Sequence, residues 1–163
     1  MRLIAFIKPD KFSGFGERDL ETLKGLKESN ILKNFNSNDS SNQKNFFAMQ
    51  ALNEICITKG DMFGICSFEI FVNRVPLTVV HGDGVLISTP TGSTGYNLSC
   101  GGSIVHNSAS VVCITPICPH SLSFRPIILS QTSEISIRLS KYARQDHAKV
   151  FIDGQVNFEL RQN

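Results

Sequence analysis

Basic clusters, paired cysteines and long apolar segments are all missing from this sequence of 163 residues. Lysine and arginine together number 16 against 14 aspartate and glutamate residues, and they are dispersed along the chain. Proteins that bind nucleic acid by neutralising phosphates concentrate their basic residues, so the sequence argues against a nucleic-acid partner. No apolar run approaches the roughly 20 residues that cross a bilayer, so we expect no membrane partner.

Cysteine is present but in a pattern that excludes two common uses of this residue. The five cysteines are odd in number and include no CxxC pair. With no signal peptide in the sequence, we expect reduced thiols and a cytoplasmic protein. Cys118 and His120 are close, but a zinc site needs more Cys and His ligands at tighter spacing. The sequence therefore predicts no metal site.

Short apolar segments recur from Phe46 onward, and turn residues separate them. Asp153-Gly154 is the strongest hairpin signal, because both central positions of a type I′ turn need positive φ. Many short strands at this spacing indicate a β-sandwich-like domain. The predicted strands are 50–58, 66–73, 76–80, 84–88, 111–115, 126–129, 134–139, 148–152 and 155–160.

The first 45 residues follow a different pattern. Residues 1–8 (MRLIAFIK) predict a short strand, and leucines spaced on one face predict a helix over 19–29. The polar stretch 34–45 (NFNSNDSSNQKN) predicts a loop or insertion. We therefore predict a mainly β (α+β) fold, in which a strand–helix unit (1–45) precedes a β domain (46–163).

Glycine and hydroxyl side chains concentrate in DGVLISTPTGSTGYNLSCGG, residues 83–102. Such a loop offers backbone N–H groups and hydroxyls to a polar, phosphorylated or sugar-bearing ligand. No GK[ST] follows and GxGxxG is absent, so the loop is neither a P-loop nor a Rossmann fingerprint. An ordinary Gly/Ser/Thr turn is the alternative interpretation.

Formal charge almost disappears between positions 75 and 133, where only Asp83 and Arg125 carry it. A segment so poor in charge is typical of a core or a subunit interface. A charge retained there costs desolvation energy unless it is paired or hydrogen-bonded. Asp83 and Arg125 are therefore predicted either to pair with each other or to anchor a polar ligand.

Four segments resemble, in order, the C-terminal half of NAD kinases: ALNEI (51–55), GDGVLISTPTGSTGYNLSCGG (82–102), TPICPHSLSFRPIIL (115–129) and FIDGQ (151–155). The resemblance implies a β-sandwich-like C-terminal domain, with residues 1–45 as a remnant of an α/β domain. It also implies a kinase that transfers the γ-phosphoryl of ATP, with Mg²⁺, to the adenosine-ribose 2′-hydroxyl of NAD, giving NADP. A homo-oligomer assembled through the β domain is implied as well.

The resemblance also implies roles for three polar residues. It places Asn53 at the adenine end of NAD, Glu54 at the nicotinamide ribose, and Asp83 at the nicotinamide carboxamide. Asparagine donates and accepts hydrogen bonds while carboxylates accept them, which suits an adenine edge and a sugar diol. A polar pair on a strand is the alternative for Asn53 and Glu54.

Within the glycine-rich loop, the resemblance implies that Thr91, Thr94 and Gly95 line the dinucleotide. Tyr96 would pack against the nicotinamide ring, as a phenol can stack on a flat heteroaromatic. Core packing is the alternative for Tyr96. Gly95 stands where many relatives carry alanine, which removes no functional group.

The TPICPHSLSFRP segment (115–126) holds three prolines, which predict a stiff, irregular path rather than regular ladder pairing. By resemblance it lies beside the dinucleotide site at a subunit contact. Arg125 is predicted either to steer phosphate or carboxylate groups or to hold a neighbouring loop. We interpret His120 as a structural histidine rather than a base.

One family motif is absent. NAD kinases carry GGDG, whose aspartate is placed as the general base, and this sequence contains no GGDG. We predict either a fragment of a kinase or a short paralog that binds dinucleotide without phosphorylating it. The end at Asn163, soon after DGQ, favours a fragment. A lipid kinase of the diacylglycerol or sphingosine type is a third candidate, although those kinases lack the STPTGSTGY run.

Overall fold

Antiparallel strands make up most of the described structure, a computed structural model that covers residues 3–7, 47–61, 63–121 and 124–162. A 3-10 turn, η1 (Thr91–Thr94), and one helical turn, α1 (Tyr96–Ser99), follow the sixth strand. The strands are β1 Leu3–Ile7, β2 Phe47–Ala51, β3 Glu54–Thr58, β4 Cys66–Val72, β5 Val75–Gly82, β6 Gly84–Ser88, β7 Val111–Ile117, β8 Ile127–Ser130, β9 Ile135–Leu139, β10 His147–Ile152 and β11 Val156–Arg161.

These strands form three sheets. The largest has six strands in the order β11-β10-β3-β6-β7-β8, and a second has three in the order β5-β4-β9. Strands β1 and β2 form a separate antiparallel pair. The predicted mainly β fold is confirmed.

The two larger sheets share one hydrophobic core, as expected of a β-sandwich. Along β4, Cys66, Phe68 and Ile70 are buried and alternate with less buried neighbours. They belong to one cluster with side chains such as Val85 and Ile114 from the six-stranded sheet. This two-residue period turns one face of each strand inward. The other face of the six-stranded sheet is left to carry the glycine-rich loop.

Two details of the strand prediction were wrong. The strand predicted over 50–58 is interrupted between β2 and β3, because the backbone N–H groups of residues 52–54 donate to the Asp153 carboxylate. The strand predicted over 111–115 continues through Pro116 to Ile117. Pairing with β8 stops at Ile114, so β7 has a partner on one side only at Pro116, where a proline is tolerated.

The predicted Asp153-Gly154 turn is present. Asp153 and Gly154 both have positive φ, 47° and 69°, and connect β10 to β11 as the Asp-Gly signal indicated. Asn73 and Arg74 also have positive φ, 50° and 67°, between β4 and β5. Both hairpins therefore follow from local turn chemistry.

Part of the N-terminal prediction can be compared with the structure. The strand predicted over 1–8 is present as β1, which pairs with β2. The helix predicted over 19–29 and the loop predicted over 34–45 lie outside the described residues. The domain boundary at residues 45–46 stays a prediction.

Candidate functional site

Asn53 and Glu54 lie in a turn whose backbone N–H groups are all held by one distant carboxylate. The Asp153 carboxylate accepts hydrogen bonds from Leu52 N at 2.7 Å, Asn53 N at 2.8 Å and Glu54 N at 3.0 Å. The Asp153 N–H donates in return to the Glu54 carbonyl at 3.0 Å. We call residues 52–54 the NE turn.

Thr89, at the start of the glycine-rich loop, holds the other carbonyls of the NE turn. Its N–H donates to Asn53 O at 2.9 Å, and its hydroxyl donates to Leu52 O at 2.7 Å. The same hydroxyl accepts from Gly92 N at 3.1 Å. Three N–H groups and three carbonyls of the NE turn thus all have partners, from two residues remote in sequence. A non-regular segment satisfied in this way has a defined conformation.

Asn97 fixes the path of the glycine-rich loop itself. This side chain is fully buried, and its amide donates to the carbonyls of Ser93 at 3.1 Å and Ser103 at 3.0 Å. Its oxygen accepts from the Thr115 hydroxyl of β7 at 2.6 Å. Gly102 leaves room for it, since a Cβ there would lie 2.2 Å from the Asn97 side-chain oxygen. The loop is therefore tied to the sheet by a satisfied buried amide.

The four loop residues predicted to touch ligand lie at the surface of this rigid support. Thr91, Thr94 and Gly95 are exposed, and Tyr96 is 44% exposed, so core packing does not account for the tyrosine. Burial of part of the phenol raises the pKa of Tyr96 to about 12, with the Cys100 thiol adding to the shift. The phenol therefore keeps its proton at neutral pH and can donate a hydrogen bond.

Asp83 forms an ion pair with Lys59, which lies outside the charge-poor segment. Lys59 Nζ is 2.6 Å from the Asp83 carboxylate, and the Lys59 N–H donates to Asp83 O at 2.9 Å. The predicted pairing of Asp83 with Arg125 is wrong, because the charged partner of Asp83 is Lys59. Arg125 is an exposed residue just before β8.

The interpretation of His120 as a structural histidine stays a prediction, because within the described residues the structure shows a hydrogen bond of its backbone and not of its exposed side chain. Its N–H donates to the His81 carbonyl at 2.8 Å, which ties this loop to the end of β5. The preceding Cys118 has a positive φ of 45°. The irregular path predicted from the prolines is therefore found after Ile117 rather than within β7.

Glu54 and Asp83 lie at opposite ends of the same strand pair. Glu54 is paired with Ser88, while Thr58 is paired with Gly84, the neighbour of Asp83. Four strand steps separate the two ends, which is about 13 Å of backbone. A single ligand that contacts both carboxylates must therefore be extended along the strands.

The electrostatic environment of Glu54 is unusual for a surface carboxyl. Burial raises the pKa of Glu54, and the Asp153 carboxylate adds to the shift. Glu54 also contributes to a raised pKa of Cys56, which burial brings to about 12. At neutral pH the buried Cys56 thiol is therefore protonated.

Sequence reasoning missed Asp153, Thr89 and Lys59. Asp153 lies in FIDGQ and Thr89 lies in STPTGSTGY. The Asp-Gly pair was predicted to form a hairpin turn, and no contact of Asp153 with another segment was predicted. Both residues contact Leu52, from which Asp153 is 101 positions away and Thr89 is 37 positions away. Contacts at such separations have no local sequence signal.

Neither a metal cluster nor a membrane span is found within the described ranges. No three His, Cys, Asp or Glu side chains there are grouped to hold a metal ion. No helix in the same ranges has the length and apolar character needed to cross a bilayer.

Replacing Gly92 by alanine is expected to separate the loop from the NE turn. A Cβ at Gly92 would lie 2.2 Å from the Asn53 carbonyl oxygen, so backbone must move. We expect Gly92→Ala to lower the free energy of unfolding by about 1–3 kcal/mol, as overpacking does. Urea denaturation measures this loss.

Gly95→Ala is the matched control, because its Cβ would meet only Gly92 O at 3.4 Å and its φ is −92°. We expect a change within about 0.5 kcal/mol, as for other exposed positions. Equal losses in the two variants would contradict the close contact described here.

Comparison with known proteins identifies one family. The family model of the ATP-NAD kinase C-terminal domain matches residues 52–163. The NAD kinase of Lachnoclostridium phytofermentans is 48% identical over 117 residues, which are 71% of this chain and 41% of that protein. The chain thus spans about two fifths of the length of this curated relative.

Two solved structures have similar folds. Yeast NADH kinase complexed with NADH superposes with a TM-score of 0.66 at 31% identity, covering 92% of this chain and 44% of that one. The NAD kinase of Archaeoglobus fulgidus in complex with ATP gives a TM-score of 0.63 at 24% identity, covering 87% and 53%. The second likeness concerns the fold alone. With the family match over most of its length, the chain belongs to the NAD kinase family, through its C-terminal domain.

Proposed function

We propose that this chain supplies the dinucleotide-binding part of a kinase that phosphorylates the adenosine-ribose 2′-hydroxyl of NAD with ATP, giving NADP. The observation that carries the proposal is the NE turn, locked by Asp153 and Thr89 against the glycine-rich loop. This arrangement gives a fixed polar surface with an exposed aromatic ring beside it. Asp83 stands at the far end of the same strands, as an extended ligand requires.

Each predicted residue has a defined task in this proposal. Asn53 binds the adenine end, the Glu54 carboxylate accepts from the nicotinamide ribose, and Asp83 accepts from the carboxamide. Tyr96 packs on the nicotinamide ring. Holding a substrate hydroxyl in a reactive geometry contributes about 7–11 kcal/mol to lowering a barrier. The part of catalysis assigned to this chain is therefore orientation.

Four further residues complete the surface. Thr91, Thr94 and Gly95 line the dinucleotide, since they are the exposed part of a loop that is fixed from beneath. Arg125 is exposed ahead of β8, and we assign it the steering of phosphate groups. A guanidinium presents several N–H donors in a geometry that matches phosphate oxygens.

A general base and a phosphate cradle are not assigned to residues of this chain. The sequence contains no GGDG. ATP supplies the phosphoryl group, and Mg²⁺ typically binds phosphates together with one or two carboxylates. The described residues offer no cluster of three ligating side chains, and our proposal assigns them no role in binding the metal. In our proposal a GGDG-bearing segment holds ATP, and this chain holds NAD.

A dinucleotide-binding protein without kinase activity is the second candidate. Every residue assigned to NAD is present, while the motif assigned to the base is absent from the sequence. In this second candidate, the residues assigned to NAD bind the dinucleotide, and no residue acts as the base for phosphorylation. All five cysteines are free thiols, which fits the cytoplasmic location we propose for either function.

We also propose that the protein forms homo-oligomers through its β domain. Along the edge strand β5, Val75, Leu77 and Val79 are exposed by 63%, 43% and 43%, and we call these three residues the apolar stripe. The pairing of β5 with β4 shifts register at Leu77. On the neighbouring strands, Glu69 and Arg138 are register partners with opposite charges. In a pair of subunits related by a twofold axis, the same surface patch of each subunit meets that of the other, so the two apolar stripes are buried together with the opposite charges beside them.

NAD binding is expected to weaken about tenfold in Asp83→Ala and in Tyr96→Ala. The first loses an anionic acceptor worth about 1.5–3 kcal/mol, and the second loses ring stacking. Isothermal titration calorimetry with NAD measures the affinity. Asp61→Ala is the control, since Asp61 is an exposed ion-paired aspartate whose partner is Lys149. Wild-type affinity in both site variants would contradict the assigned roles.

The 163-residue chain alone is expected to make no NADP from NAD, ATP and Mg²⁺, because it has no GGDG aspartate. Fusion to a GGDG-bearing segment of a family member is expected to restore turnover. An NADP-coupled assay compares the two polypeptides, with the GGDG aspartate changed to asparagine as control. Turnover by the chain alone would contradict our placement of the base, and an inactive fusion that binds NAD would favour the second candidate.

Leu77→Lys is expected to dissociate the oligomer, since a charge at the centre of the apolar stripe resists burial. Size-exclusion chromatography with light scattering measures the mass. Ile128→Lys is the control, because Ile128 is 50% exposed on the other sheet. A wild-type chain that is monomeric at all concentrations would contradict the proposal.

A further inference from the structure

We infer that Asp153 is a positioning residue for the dinucleotide: its carboxylate holds the NE turn in the conformation that presents Asn53 and Glu54 to NAD. This inference rests on the proposed function for its ligand. Its structural part, the control of the NE turn by a residue of the β10–β11 hairpin, does not depend on that function.

The hydrogen bonding at Asp153 differs from that of an ordinary turn aspartate. Its carboxylate accepts three backbone N–H groups of a segment 99 to 101 positions earlier. Hydrogen bonds to a charged acceptor are roughly twice as strong as neutral ones. Successive N–H groups that converge on one anion also define the backbone conformation that carries them.

The conformation of Asp153 is itself specialised. Its φ of 47° lies in the left-handed region, which aspartate adopts more readily than most residues. This φ belongs to the turn that aligns β10 with β11, while the side chain serves the NE turn. One residue therefore links hairpin geometry to site geometry.

Thr89 provides an independent means of testing the same restraint. It holds the carbonyls of Leu52 and Asn53, whereas Asp153 holds the N–H groups of the same residues. Thr89→Val keeps the shape of the side chain and the N–H bond but removes the hydroxyl. If the NE turn is positioned by both residues, Thr89→Val and Asp153→Asn should weaken NAD binding in the same direction.

The first experiment is calorimetry with NAD on Asp153→Asn. Asparagine has nearly the same shape, but it carries no charge and only one acceptor oxygen, while its NH₂ opposes the N–H donors. We expect a loss of about tenfold or more in NAD affinity. Val150→Ala controls for stability, since Val150 is a buried core residue of β10. Asp146→Asn controls for charge at the exposed start of the same hairpin. Wild-type affinity in Asp153→Asn would overturn the inference.

Hydrogen exchange on the unliganded protein is the second experiment. We expect the amides of Leu52, Asn53 and Glu54 to lose at least about tenfold protection in Asp153→Asn, while Phe68 in β4 is unchanged. In Val150→Ala no selective loss at the NE turn is expected. Unchanged protection at the NE turn in Asp153→Asn would overturn the inference even if the wild-type chain bound no NAD. Absence of NAD binding with the predicted exchange result would instead contradict the proposed function alone.

Discussion

The carboxylate of Asp153 and the backbone of the NE turn form the contact on which the candidate site depends. The carboxylate is the acceptor for the three N–H groups of residues 52–54, and its removal would take away that partner. Thr89 completes the restraint from the loop side. The turn therefore needs no ordering by a ligand, and binding avoids that part of the entropic cost.

The β-sandwich beneath the site holds the strands that carry this restraint in fixed positions. Strands β3 and β6 are central in the six-stranded sheet and bury one face against the three-stranded sheet. Asn97, fully buried, ties the glycine-rich loop to β7. The candidate site residues thus extend from elements that are held on several sides, and the groups at the surface remain exposed.

Local patterns predicted the fold well. Short apolar segments separated by turn residues identified the strands, and Asp153-Gly154 identified its hairpin because positive φ is a property of two adjacent residues. Recognisable motifs identified Asn53, Asp83 and Tyr96 as candidate site residues, and their roles toward a ligand stay predictions. What the patterns could not provide were contacts between distant segments: Asp153 with the NE turn, and Lys59 with Asp83. The strand predicted across 50–58 was wrong for the same reason.

The most direct measurement of the central claim is a crystal structure of the chain with NAD. The account predicts an extended dinucleotide along β3 and β6, with contacts to Asn53 and Glu54 at one end and to Asp83 at the other. It also predicts that the NE turn keeps its bonds to Asp153 and Thr89 unchanged on binding. A dinucleotide bound elsewhere, or an NE turn that rearranges to meet it, would contradict the account.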